Sequence, residues 1–176
     1  VDNKVFAQRL ILWASGVNDT PPANQPVYRI NAGGPQVNTS IASFAADNFF
    51  TSSEFYSATN AIAGTTDDAI YQTERYSTTD KGSFNYNFPI GNGTYNVKLH
   101  FAEIYWTTPG NRKFDVTIEG TKVLDNYDMV QKAGAFTAIV ENFNVNVTDG
   151  TLKILFNGGL SEGRLDRLKV SANGVL

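Results

Sequence analysis

The sequence predicts an all-β fold, a two-sheet antiparallel β-sandwich of jelly-roll type. Three features of the chain carry that expectation: short stretches of strict apolar/polar alternation, Gly-containing turns between them, and no sustained helical period. With 176 residues, 41% of them hydrophobic, the chain is long enough to bury one substantial core.

In chain order, residues 1–26 read as a leader and linker. Val1 to Val17 contains the apolar patch Leu10 to Trp13, and Asn18 to Pro26 is rich in Pro and Asn. The leader reads either as a remnant of a preceding module or as an extra edge strand, and residues 27–176 as the domain. Ser40 to Phe55, rich in Ala, Phe and Ser, is the least strand-like part and is expected to hold a short helical turn and long loops. From Phe84 the alternation is clear: Phe84, Tyr86 and Phe88 alternate with Asn85 and Asn87. Past the turn Gly91–Gly93, Tyr95, Val97, Leu99 and Phe101 alternate with Asn96, Lys98 and His100. The pattern continues through Phe114, Val116 and Ile118, a Glu119–Gly120 turn into Val123, then Val145 and Val147, an Asp149–Gly150 turn and Leu152 to Phe156. Leu165, Leu168 and Val170 are expected to form the last strand.

Composition excludes several classes of function. A net charge of -3 with no Lys/Arg run argues against nucleic acid or an anionic membrane as the main partner, since both require a concentrated basic footprint. No apolar run approaches the length of a membrane-spanning helix. With no cysteine there is neither a disulfide framework nor thiolate chemistry. Charged residues are 18% of the chain, below the roughly 25% of an average domain. The surface must therefore be built from Asn, Thr, Ser and Gly. Four Asn-x-Ser/Thr sequons, at Asn18, Asn38, Asn92 and Asn146, read as chance in so Asn- and Thr-rich a chain.

Catalysis finds little support. The single histidine, His100, sits in mid-strand and reads as a polar-face residue, and no nucleophile elbow, Walker loop or zinc helix motif is present. Asp67, Asp68, Glu74, Glu103, Asp115 and Asp128 are the carboxyls from which a glycosidase pair could be drawn; each also reads as a turn, cap or surface residue. No cofactor is implied. The loops offer the Asp and Asn ligands of a calcium site, but no calcium-loop spacing appears.

Binding is better supported. Tyr56, Tyr71, Tyr76, Tyr105 and Trp106 lie where predicted strands meet loops, and clustered loop aromatics are a costly surface unless core or ligand covers them. Sugar rings stack their C–H faces on aromatic rings, while Tyr hydroxyls and nearby carboxylates take sugar hydroxyls. Tyr105 and Trp106 are consecutive at a strand end, so both cannot point into one core face.

Four segments resemble the malectin domain: Arg29–Gly34 (RINAGG), Tyr71–Tyr76 (YQTERY), Phe101–Trp106 (FAEIYW) and Phe114–Gly120 (FDVTIEG). Tyr56–Tyr76 resembles the bacterial branch of that family more closely still, and the resemblance runs from about Tyr28 to Val170. It implies a jelly-roll sandwich whose loops at one end bind glucose-containing oligosaccharides. It also implies a module of a larger secreted or surface protein, of the kind found beside glycoside hydrolases or adhesive repeats. In animal malectin the disaccharide is held by loop tyrosines, a phenylalanine and an aspartate near the carboxyl end. Carried over by motif, the ligand-binding set is Tyr56, Tyr76, Tyr105 and Trp106, with Glu103 of the FAE segment beside them. Trp106 stands where the animal protein has Phe. Ser161 falls at the aspartate and Glu162 lies next to it. The expected function is non-catalytic carbohydrate binding, with flanking domains on the same chain; a structural or adhesive spacer and a glycoside hydrolase are the competing readings.

Overall fold

The structure is a computed structural model that describes residues 28–40, 42–51, 53–77, 79 and 81–158. The leader, the expected last strand, Ser161 and Glu162 lie outside the described residues. The strands are β1 (Ile30–Asn31), β2 (Val37–Asn38), β3 (Ser43–Ala46), β4 (Glu54–Ser57), β5 (Thr73–Tyr76), β6 (Ser83–Pro89), β7 (Gly93–Phe101), β8 (Phe114–Ile118), β9 (Thr121–Tyr127), β10 (Ile139–Val147) and β11 (Thr151–Asn157). A one-turn 3-10 helix (Asp68–Ile70) precedes β5, and α1 (Met129–Ala133) follows β9.

Alternation in the sequence becomes two facing layers. One sheet has the order β6-β11-β8-β9, and β7 pairs antiparallel with β10. The inward residues of both layers meet in one core: Phe84, Tyr86 and Phe88 from β6, Val97, Leu99 and Phe101 from β7, Phe114, Val116 and Ile118 from β8, and Leu152, Ile154 and Phe156 from β11. Phe84 and Phe156 are directly opposite in register and their rings stack at 5.0 Å. Each such ring, fully removed from water, contributes about 1.5–3 kcal/mol, which makes this core the main stabilising element. The β8–β9 hairpin turns through Glu119 (φ 48°) and Gly120 (φ 76°), the paired left-handed conformation of a tight hairpin turn.

A second, smaller core of Phe44, Ile62, Ile70, Tyr71, Ala102 and Ile104 lies where β7 ends, with Tyr56 and Ala58 packed against it. The ribbon β4–β5 belongs to this region. The RINAGG segment is bound to the ribbon by a close approach: at Gly33 (φ 74°) a Cβ would stand 2.3 Å from the backbone oxygen of Glu74. Only glycine fits there, and its N–H is accepted by Asp47 at 2.7 Å.

Two expectations are corrected. Ser40–Phe55 holds strand β3, which pairs with β1 and β2, and the start of β4, while the helical turns lie elsewhere. β3 buries only Phe44, with Ala and Ser at its other positions, so no alternation is visible there. His100 is not a polar-face residue. It is 8% exposed and capped by the second core, against Phe44 and Tyr71.

Candidate functional site

The aromatic site is assembled from two segments. β4 carries Tyr56 and β5 carries Tyr76; the register pairs Tyr56 with Glu74 and Glu54 with Tyr76. Cross-strand partners share a face and alternate residues return to it, so Tyr56, Tyr76, Glu54 and Glu74 project from the same side of the ribbon. Tyr56 is the third of the four residues of β4, and Tyr76 ends β5, where the strand meets a loop. Tyr76 donates its hydroxyl to Glu54 Oε2 at 2.7 Å.

The second segment is the stretch after β7. The Tyr105 ring meets Tyr56 edge-on at 5.6 Å and Trp106 edge-on at 4.9 Å. Tyr105 is 46% exposed, while Tyr56 and Trp106 are half-buried. The structure thus brings Tyr56, Tyr105 and Trp106 into ring contact and sets Tyr76 on the same ribbon face. Tyr71 belongs to the second core instead; burial, reinforced by the charge of Asp67, pushes its hydroxyl up to about 12.

Glu103 has a place different from the one expected. It is 1% exposed. Its Oε1 accepts the backbone N–H groups of Tyr105 and Trp106, each at 2.9 Å, and its Oε2 lies 3.0 Å from Arg112 Nη1. The same Nη1 is 3.0 Å from Glu74 Oε2. Burial raises the Glu103 carboxyl above the usual carboxylate range, with the Glu74 charge adding to the rise and Arg112 opposing it. Three of the other carboxyls considered for catalysis also have structural partners. Asp67 accepts from the Ser40 N–H and hydroxyl, both at 2.8 Å. Asp115 pairs with Lys122, and Asp128 caps α1 through the Gln131 N–H while accepting the Gly110 N–H.

Sequence reasoning missed Arg112, which in the turn-rich Pro109–Lys113 looks like an ordinary solvated charge. Its spacing from FAE is the one available signal, and it does not by itself reveal a buried partner. An open hollow of about 570 Å³ lined by Ser40, Gly64, Thr65, Thr66 and Asp67 was equally invisible. Among the described residues, no group of three His, Asp or Glu side chains is placed to hold a metal, and no helix is long and apolar enough to cross a membrane.

The sequence model of the malectin domain matches residues 26–168 of this chain. The chain belongs to the malectin domain family. That is a carbohydrate-binding family, in line with the resemblance of the four motifs. Malectin-B of Xenopus laevis is 34% identical over 116 residues, covering 60% of this chain and 41% of that protein. A probable LRR receptor-like serine/threonine-protein kinase of Arabidopsis thaliana is 42% identical over 76 residues, covering 39% of this chain and 8% of the kinase. The chain thus spans less than half the length of either relative. Among solved structures, the ANXUR1 extracellular domain from Arabidopsis thaliana superposes with a TM-score of 0.73 at 18% identity, over 84% of this chain and 46% of that one. A Bacteroides uniformis beta-glucuronidase superposes with a TM-score of 0.68 at 16% identity, over 84% of this chain but only 17% of the enzyme. These two likenesses establish the malectin-like sandwich fold.

The second core also makes a testable pH device of His100. Burial, with the Lys98 charge adding to it, lowers the imidazole to about 4, and its Nδ1 lies 2.9 Å from the Tyr71 hydroxyl. The unfolded chain then binds more protons between pH 4 and about 6.5, so the stabilisation is complete above pH 6.5 and is lost as pH falls toward 4. The expected loss is on the order of 3 kcal/mol. Glu103, raised rather than lowered, contributes in the opposite sense. Urea unfolding of the wild type and His100→Gln across pH 4–7 isolates the histidine: the variant should show a flatter profile, and identical slopes would remove His100 as the cause.

Proposed function

We propose that this domain binds carbohydrate without turning it over, at the surface formed by Tyr105, Trp106, Tyr56 and Tyr76. The supporting observation is the meeting of three rings from two distant segments, with Tyr105 left 46% exposed at their centre. A ring so exposed, backed by two others, offers a flat apolar face to a sugar's C–H groups. The ligand class we propose is a glucose-containing oligo- or polysaccharide. Ser161 and Glu162 are proposed as its polar contacts from the carboxyl side.

The role is binding rather than hydrolysis. Glycoside cleavage needs two carboxyls that reach the substrate, whereas of the three carboxyls two residues from a ring, Glu74 and Glu103 are buried against one guanidinium and only Glu54, which accepts the Tyr76 hydroxyl, is exposed. We propose further that residues 27–176 are the binding module of a larger secreted or cell-surface protein, joined to its neighbour through residues 1–26. The extracellular domain named for ANXUR1 and the kinase relative, both far longer than this chain, support that reading.

A glycan array with the isolated domain identifies the sugar, and calorimetry on the strongest hit measures it. Tyr105→Ala is expected to weaken binding by about 1–3 kcal/mol, as truncation of an aromatic contact does at binding surfaces. Because the ring is half exposed, the melting temperature should hardly move. Equal affinity in wild type and variant, or no hit across the array, would count against the proposed site.

A further inference from the structure

We infer that Arg112 is a positioning residue that sets the spacing between the two ring-bearing segments. Its purpose rests on the sugar-site reading above, but its geometry is independent of any ligand. Three side chains form a continuous buried chain from one segment to the other. Glu103 grips the Tyr105–Trp106 stretch through two backbone N–H groups with one oxygen, and presents the other oxygen to Arg112. Arg112 turns the same Nη1 to Glu74, which is directly opposite Tyr56 on the ribbon and on the same face. Both ends of the Tyr56–Tyr105 contact are therefore anchored to a single guanidinium.

The division of labour within Glu103 makes the linkage directional. Hydrogen bonds to a carboxylate from successive backbone N–H groups fix a turn, but they do not fix where that turn lies relative to a ribbon about 30 residues away in sequence. The guanidinium supplies that second constraint, because its Nη1 stands 3.0 Å from a carboxyl oxygen of each segment. A lysine in its place would put a compact charge on a shorter, more flexible stem, which does not fix the spacing of the two carboxyls. Glu74 and Glu103 would also repel each other without the charge between them. Burying three ionisable groups is a costly way to secure stability alone. Holding two ring-bearing segments in one arrangement accounts for it.

The test reads the two gripped amides. Hydrogen exchange followed by NMR on the wild type should show the Tyr105 and Trp106 amides protected although they lie outside any strand or helix. Nuclear Overhauser contacts should connect the Tyr56 and Tyr105 rings. In Arg112→Lys those contacts should vanish and the two amides should exchange at least about tenfold faster, while the β7–β10 ladder keeps its wild-type protection. Should Arg112→Lys not fold, Glu74→Leu, which removes the acceptor at the ribbon end only, is expected to abolish the ring contact while leaving the Tyr105 and Trp106 amides protected. Unchanged ring contacts and amide protection in the variant that folds would overturn the inference, as would acceleration of all amides together, which marks a merely structural role. A wild-type domain that shows this pattern yet binds no sugar would support the linkage while removing the sugar-site reading.

Discussion

Replacing Arg112 by Met is expected to lower unfolding free energy by about 3–5 kcal/mol, the usual cost of removing one partner from a buried ion pair. The side chains of Arg112, Glu74 and Glu103 are each at most 1% exposed. Methionine fills much of the volume but leaves two buried carboxyls facing each other, so the loss comes from uncompensated charge rather than from a cavity. Urea unfolding gives the value. A companion triple variant, Arg112→Met with Glu74→Gln and Glu103→Gln, removes the charges together and should recover most of the loss, because neutral isosteres of a buried triad are tolerated far better than a broken one. If Arg112→Met costs less than about 1 kcal/mol, the three groups are not coupled as their distances imply.

A loss of similar size is expected from Asp47→Ala. Asp47 sits at the junction of three elements: one oxygen accepts the Gly33 N–H and the Arg75 guanidinium, and the other accepts the Tyr86 hydroxyl at 2.8 Å. Removing it leaves a guanidinium whose side chain is only 8% exposed with Ser53 but no carboxylate, and takes the acceptor from a core hydroxyl and a turn N–H. Arg75 would keep its contact with the Phe50 ring, 3.4 Å below it, which offsets only part of a lost charge pair. The expected cost is about 3–5 kcal/mol, read as a fall in melting temperature on the order of 10 °C for a domain of this size. A fall of only a degree or two would mean that Arg75 and Tyr86 find other partners.

The sandwich was legible in the sequence wherever one face of a strand is core and the other water. β6 and β7 are the clearest case: Phe84, Tyr86, Phe88, Val97, Leu99 and Phe101 announce their face by period alone, and all six are buried. β3 was not legible, because a strand of Ser, Phe and two Ala has too little apolar contrast to show a period. His100 was misread for a related reason. Alternation assigned it to the solvent side of β7, but that side is roofed by Phe44 and Tyr71, from segments far away in sequence.

The aromatic candidates could be named from strand ends and motif, and Tyr56, Tyr105 and Trp106 do meet. Which ring is exposed could not be read. Trp106 is the larger and would be chosen on size, yet it is half-buried and its indole N–H is enclosed without an acceptor among the described residues, whereas Tyr105 faces out. The burial of Glu103 could not be read either. Its burial depends on Arg112 and on the ribbon, neither of which a linear reading of Phe101–Trp106 contains.

Sugar binding at these rings is tested most directly by titrating the isotope-labelled domain with the strongest glycan from the array and following chemical shifts residue by residue. The largest saturable changes should fall on Tyr105, Trp106, Tyr56 and Tyr76, with the β6-β11-β8-β9 sheet unmoved. Saturable shifts confined to another surface, or none at millimolar sugar, would contradict the proposal that this cluster is the binding site.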